Sequence, residues 1–160
     1  MSRTTEVSTL VSALVGTWAG TGDGGYPTIE SFAYRETTTF AQREDHPSLH
    51  YEQRTWRQTP DGEVVSHWET GFLRIRSDGT ATMLNAQGGR AETMDGTWQS
   101  QDDGWQIDLT STGYAGDDRV ISSTRSIRFS SAAIDYEMLM ATTANPEAVL
   151  HLKAQLARHG

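Results

Sequence analysis

From Gly16 onward, turn signals interrupt this chain so regularly that only short strands fit between them. The clusters are Gly24-Gly25-Tyr26-Pro27, Pro60-Asp61-Gly62, Ser77-Asp78-Gly79, Gln87-Gly88-Gly89 and Asp102-Asp103-Gly104. They supply the positive-φ and preset-φ positions that hairpin turns require. The runs they separate are alternating or apolar: 16–22, 31–41, 48–58, 63–76, 80–86, 91–99, 104–111, 120–130 and 133–141. Nine or ten strands in succession, with no helical crossover, imply an antiparallel meander. A meander of that length in one domain closes on itself and so removes its edges. The expected fold is all-β: a single domain over residues 1–160, built as a ten-stranded antiparallel β-barrel with short N- and C-terminal helices.

The two helices are read from periodicity and capping. Over residues 4–15, Val7, Leu10, Val11 and Leu14 recur three or four apart, giving one apolar helical face. From Pro146 to the end a second short helix is expected. Asn145 serves as its N-cap, Pro146 takes the first helical position and Glu147 the positive end of the dipole.

Composition narrows the function. Only 36% of residues are hydrophobic, with 15 glycines and 5 tryptophans, a profile that suits a barrel whose positions face water or a lumen. A formal charge of −8 argues against affinity for nucleic acid or an anionic membrane surface. The absence of cysteine excludes disulfides, thiolate metal sites and cysteine nucleophiles. Residues 1–6 lack a signal-peptide pattern, and no stretch approaches the roughly 20 apolar residues of a membrane-spanning helix. A cytoplasmic location is expected.

The richest segment is Gly16-Thr17-Trp18-Ala19-Gly20-Thr21-Gly22-Asp23-Gly24-Gly25-Tyr26-Pro27-Thr28-Ile29. Trp18 can plug the closed end of a barrel. Gly20 and Gly22 bare one face of the strand, so that another backbone or a flat ligand can come close. Gly-x-Trp alone is equally consistent with a plugged strand that holds no ligand. The longer pattern resembles the signature of the nitrobindins, small haem proteins with a ten-stranded barrel. Further matches follow in order: Ser31-Phe32-x-Tyr34, Tyr51-x-Gln53-x-Thr55-Trp56, His67-x-Glu69-x-Gly71-Phe72, Gly96-Thr97-Trp98 and His151-Leu152-Lys153-Ala154. The resemblance spans nearly the whole chain.

The resemblance implies one haem b per chain, five-coordinate through His151, which opens the C-terminal His-Leu-Lys-Ala stretch. It also implies that the ferric protein binds nitric oxide and converts peroxynitrite to nitrate. His67 corresponds to a histidine on the ligand side of the iron, next to Ser66, where relatives often carry Met. It joins His151 as a candidate catalytic residue. Thr28 corresponds to a haem-contacting threonine, and Arg119 falls near a lysine that lies by the haem carboxylates. The chemistry of the residues alone leaves each role open. An imidazole among Val149, Leu150 and Leu152 is a good iron ligand, but it is equally an ordinary helix residue. Thr28 can also bond its own turn, and His67 can be a plain polar strand residue.

Two departures from the relatives bear on this reading. One extra residue separates Pro146 from His151, and on a helix it would rotate His151 by about 100°. Ser66 in place of Met makes the pocket wetter. The barrel interior is expected to be filled or apolar, and the protein a monomer or weak homodimer. The alternative from another class is a carrier of a small hydrophobic ligand, which would need a large apolar lumen. A barrel that has lost its ligand is a third reading. His46 and His50 flank Pro47 in a loop, a poor geometry for a metal pair, and Asp102-Asp103 reads as a turn.

Overall fold

The computed structural model describes residues 1–44 and 46–160. The chain begins with a helix, α1 (Arg3–Leu14), capped by Ser2, whose Oγ accepts from the Thr5 N–H. Its apolar stripe buries Val7, Leu10, Val11 and Leu14, as the periodicity requires. At Gly16 the backbone adopts φ +131°, a conformation that L side chains rarely take, and turns into the first strand.

Ten strands follow: β1 (Gly16–Tyr26), β2 (Ile29–Gln42), β3 (Ser48–Thr59), β4 (Gly62–Ile75), β5 (Thr80–Gln87), β6 (Arg90–Gln101), β7 (Gly104–Ala115), β8 (Val120–Phe129), β9 (Ala133–Thr142) and β10 (Val149–Arg158). Each pairs antiparallel with its sequence neighbour, and β1 pairs with β10 to close the barrel. Alternation then puts five hairpins at one end, which we call the mouth: β1–β2, β3–β4, β5–β6, β7–β8 and β9–β10. The remaining four connections and α1 lie at the other end.

That other end is closed by apolar packing. Trp18 is fully buried against α1, and its indole N–H donates to the Leu14 carbonyl at 2.8 Å. The Arg158 guanidinium lies 4.4 Å from the Trp18 ring and donates to the carbonyls of Ala13 and Val15. One cation at the end of the last strand therefore satisfies the orphan carbonyls at the C-terminus of α1. Leu10, Leu14, Leu49, Leu73, Ile75, Met94, Ile107 and Leu109 fill the interior around this plug.

The C-terminal segment corrects the expectation of a helix: residues 149–158 form β10. The residues from Asn145 to Glu147 have helix-starting chemistry, but a strand here hydrogen-bonds to both β1 and β9, and a helix would leave both edges open. Leu152, Ala154 and Leu156 alternate inward with period two, a pattern that the intervening Val149 and Leu150 obscured. Tertiary pairing overrode local propensity. The glycines of β1 are used by the protein itself. A Cβ at Gly20 would lie 2.0 Å from the Gln155 carbonyl oxygen, and one at Gly24 would lie 2.3 Å from the Phe32 ring. No helix among the described residues is long and apolar enough to cross a membrane.

Candidate functional site

Near the mouth the strand pairing departs from regularity, and it does so beside the residues of chemical interest. Across β3–β4, Thr55 pairs with His67 and Trp56 with Val65, so Ser66 is a bulge. Across β9–β10, Leu139 pairs with Leu150 and Met138 with Leu152, so His151 is a bulge. A bulge lets two consecutive residues reach the same face of a sheet. Ser66 with His67, and His151 with Leu152, thereby all line one cavity of about 160 Å³ inside the mouth. Because His151 sits on a bulged strand, the rotation argued for a helix does not apply.

His151 is half-buried and precisely partnered on one side only. Its Nδ1 lies 2.8 Å from the Gly25 carbonyl oxygen, and its ring meets Tyr26 edge-on at 5.7 Å. A carbonyl only accepts, so Nδ1 carries the proton and Nε2 keeps its lone pair. Burial lowers the pKa of His151, with the charge of Arg90 adding to the effect and the Gly25 bond opposing it. The neutral imidazole, the form that ligates metals, is favoured.

His67 faces the same cavity, with Nε2 3.1 Å from Glu69 Oε2. Glu69 is itself held at 2.7 Å by Arg125 and at 2.5 Å by the Tyr51 hydroxyl. Burial by itself would raise the pKa of Glu69. The Arg125 charge and the bonds from His67 and Arg125 outweigh burial and hold it well below the usual carboxylate range. An ionised Glu69 accepts a hydrogen bond from His67 Nε2–H.

The interior, expected to be filled or apolar, holds a set of buried polar side chains between the cavity and the apolar plug. Arg125 also reaches Glu92 at 3.4 Å, and Glu92 accepts from Asn85 and Ser123. A second cluster surrounds Glu36, which accepts from Thr38, Gln53 and Tyr136. Alternation is satisfied by polar side chains once they are bonded to one another, so the strand period alone could not distinguish this interior from an apolar one.

Burial raises the pKa of Glu36, and its three hydrogen bonds offset this only in part. An acid whose pKa is raised on folding contributes most stability below its ordinary value near 4.3 and loses it as pH climbs through the folded value. Glu36→Gln removes that liability. Urea unfolding should therefore show the variant at or above wild-type stability at pH 8, with the advantage shrinking toward pH 5. A variant weaker than wild type at pH 8 by more than about 1 kcal/mol would mean that the carboxylate itself is required.

Two of the four sequence candidates, His67 and His151, are brought together. Thr28 is exposed in the turn between β1 and β2, on the rim and outside the cavity lining. Arg119 is exposed in the β7–β8 turn and is bound through Nε and Nη2 to Asp117 at 2.9 Å each. The cavity wall carries two cations, Arg125, which is paired with Glu69, and Arg90, which sequence reasoning missed. The only available signal was its place directly after the Gly88-Gly89 turn, and that does not show which way the side chain points. His46 and His50 diverge, His46 accepting from the Ser48 N–H and His50 meeting Thr70. A larger depression of about 490 Å³ over β8–β10 and β1 is lined mainly by polar and charged side chains and contains neither histidine. The smaller cavity, with apolar walls and a few convergent polar groups, is the better site.

Comparison with known proteins agrees with this geometry. The family described as THAP4-like, heme-binding β-barrel domain matches residues 8–158. A protein from Nocardia farcinica named peroxynitrite isomerase is 36% identical, the match covering 92% of this chain and 88% of that protein. One of the same function name from Arabidopsis thaliana is 35% identical over 91% of this chain and 85% of its own length. The crystal structure of Rv2717c from M. tuberculosis superimposes with a TM-score of 0.86 at 31% identity, covering 96% of this chain and 98% of that one. An S-type phycobiliprotein lyase from Guillardia theta, at 12% identity and a TM-score of 0.63, shares the fold alone. With a family match over nearly the whole barrel, this chain belongs to the THAP4-like, heme-binding β-barrel domain family.

Proposed function

We propose that this protein binds one haem b across the barrel mouth through His151 Nε2 and, in the ferric state, isomerises peroxynitrite to nitrate, with nitric oxide as a further ligand. The observation that carries this reading is the Nδ1–H bond from His151 to the Gly25 carbonyl, which fixes the tautomer and turns a bare Nε2 lone pair away from the backbone. The family description and the names of the relatives from Arabidopsis thaliana and Nocardia farcinica support the same chemistry.

The residues present fit the group. Phe32, Met138 and Leu152 give the cavity apolar walls. Around the mouth, Ile29, Val64, Val65, Ile121 and Leu150 stand exposed at the starts of β2, β4, β8 and β10. A collar of exposed apolar side chains is characteristic of a surface that a ligand covers. The cavity of about 160 Å³ is smaller than the roughly 300–1,000 Å³ of pockets that engulf a ligand, so a porphyrin lies across the mouth. The same small volume, above an interior packed with hydrogen-bonded side chains, argues against a carrier of fatty-acid type.

Bound haem supplies an iron with an open position for a diatomic or oxyanion ligand, and the redox chemistry is its own. The protein's part is to position and shield. The Gly25 carbonyl orients His151. Glu69 holds the His67 ring in the cavity wall, with Ser66 beside it. Thr28 stands exposed on the rim, where it would contact a bound haem. Arg119 reaches an anion only by releasing Asp117. A cytoplasmic location and a monomer or weak homodimer belong to the same reading.

Titration of the purified protein with hemin should give a saturable Soret band at one equivalent, and the loaded protein should accelerate peroxynitrite decay to nitrate in stopped flow. Absence of a saturable band would sink the haem reading. A band without accelerated decay would leave a haem protein of different purpose.

A further inference from the structure

The wall of the cavity contains a cation with no counter-ion among the described residues. Arg90 opens β6 directly after the Gly88-Gly89 turn and lines the cavity together with His67 and His151. Its Nε is sealed from solvent and has no hydrogen-bond partner. Its one side-chain bond, from Nη2 to Gln87 Oε1, is long at 3.4 Å. Four other arginines of the barrel are paired with carboxylates: Arg35 with Glu63, Arg54 with Glu52, Arg119 with Asp117 and Arg125 with Glu69 and Glu92. Arg57 and Arg125 share the unpartnered buried Nε, but Arg57 does not line the cavity. Asp117 is near enough to feel the charge of Arg90, but its carboxylate is already taken by Arg119 through both oxygens.

A half-buried guanidinium with an unbonded N–H is a costly arrangement unless a ligand completes it. Its planar fork matches the two oxygens of a carboxylate or a nitrogen oxyanion, and the pairing is strengthened by partial removal from water. We infer that Arg90 is the anion receptor of this site and takes a planar oxyanion on its guanidinium at the cavity wall. Two sources carry that chemistry: a carboxylate arm of the porphyrin and the small nitrogen oxyanion that reacts beside it. The inference rests on the haem reading above and goes beyond it by transferring the anion-holding role from Arg119 to Arg90.

The test uses the intact protein as wild type, Arg90→Gln, Arg90→Lys and Arg119→Gln. Each is titrated with hemin and with hemin dimethyl ester, which lacks free carboxylates, and each hemin-loaded protein is titrated with nitrite by the shift of its Soret band. If the porphyrin carboxylate is the partner, Arg90→Gln weakens hemin at least tenfold and leaves the dimethyl ester unchanged. If the oxyanion is the partner, hemin affinity holds and nitrite affinity falls at least tenfold. In either case Arg90→Lys, which keeps the charge and loses the fork, falls between, and Arg119→Gln stays near wild type. Equal affinities of wild type and Arg90→Gln for hemin and nitrite overturn the proposal, and so does a larger effect of Arg119→Gln. Thermal midpoints recorded alongside separate loss of binding from loss of fold. A wild type that gives no saturable hemin band fails the haem reading itself and takes this proposal with it.

Discussion

Replacement of His151 by alanine should abolish the defined ferric Soret band while leaving the barrel folded. Loss of a residue that merely supports a ligand lowers metal affinity roughly 10–100-fold, and removing the ligand itself should exceed that. The fold should survive because His151 is only half-buried and lies on a bulge at the mouth, remote from the apolar plug around Trp18. The ring leaves space between Tyr26 and Leu152, and the Gly25 carbonyl remains to orient a donor. Exogenous imidazole should therefore restore a band in His151→Ala and do little in wild type. Hemin titration of both proteins, with and without imidazole, checks this. An unchanged band in the alanine variant would move the axial ligand to another residue, with His67 the first to examine.

The largest effect on stability is expected at Arg125. Its side chain is about nine-tenths buried and holds Glu69, itself 1% exposed, at 2.7 Å. Arg125→Met strips the counter-ion from a buried carboxylate while Tyr51 and His67 remain around it. Breaking such a pair from one side costs about 3–5 kcal/mol, a large part of the total stability of a domain, and shifts the thermal midpoint by roughly 6–20 °C for a chain of this size. The pH dependence should change sign with it. In wild type the depressed pKa of Glu69 contributes stability that is full above the ordinary glutamate value and is lost as pH falls from there through the lower folded value. Without Arg125 the buried carboxyl prefers its proton, so the variant should regain stability as the pH falls from 8 toward 5. Urea unfolding at both pH values tests it. A loss below about 1 kcal/mol at pH 8 would show that the pair is solvated in solution.

Both predictions turn on polar side chains inside the barrel, and here the legibility of the sequence divides. The strands were legible because turn residues and period-two alternation are local: a Gly or Asp cluster forces a reversal wherever it lies, and nine of the ten strands follow from that alone. The N-terminal helix and its buried face were legible for the same reason, as was His151, on the strength of its motif. The last strand was not. Residues 145–147 carry genuine helix-starting chemistry, and only the open edges of β1 and β9 decide the matter.

The bulges at Ser66 and His151 lie beyond local reading too, since a bulge is a relation between two strands. Alternation marks Glu36, Glu69, Glu92 and Arg125 as inward, but whether inward means a cavity, a water-filled lumen or a closed network depends on which strands meet across the barrel. Glu69 and Arg125 are 56 residues apart in the chain and 2.7 Å apart in space. Arg119 and Arg90 are separated in the same way. Asp117, two residues from Arg119, captures it locally, while Arg90 is turned into the cavity by the course of its hairpin. The sequence by itself determined the meander, the helical plug and the motif that singles out His151, because each depends on neighbours along the chain. The tertiary structure decided the tenth strand, the polar interior and the place of Arg90 in the cavity wall, because each depends on groups that closure of the barrel brings together.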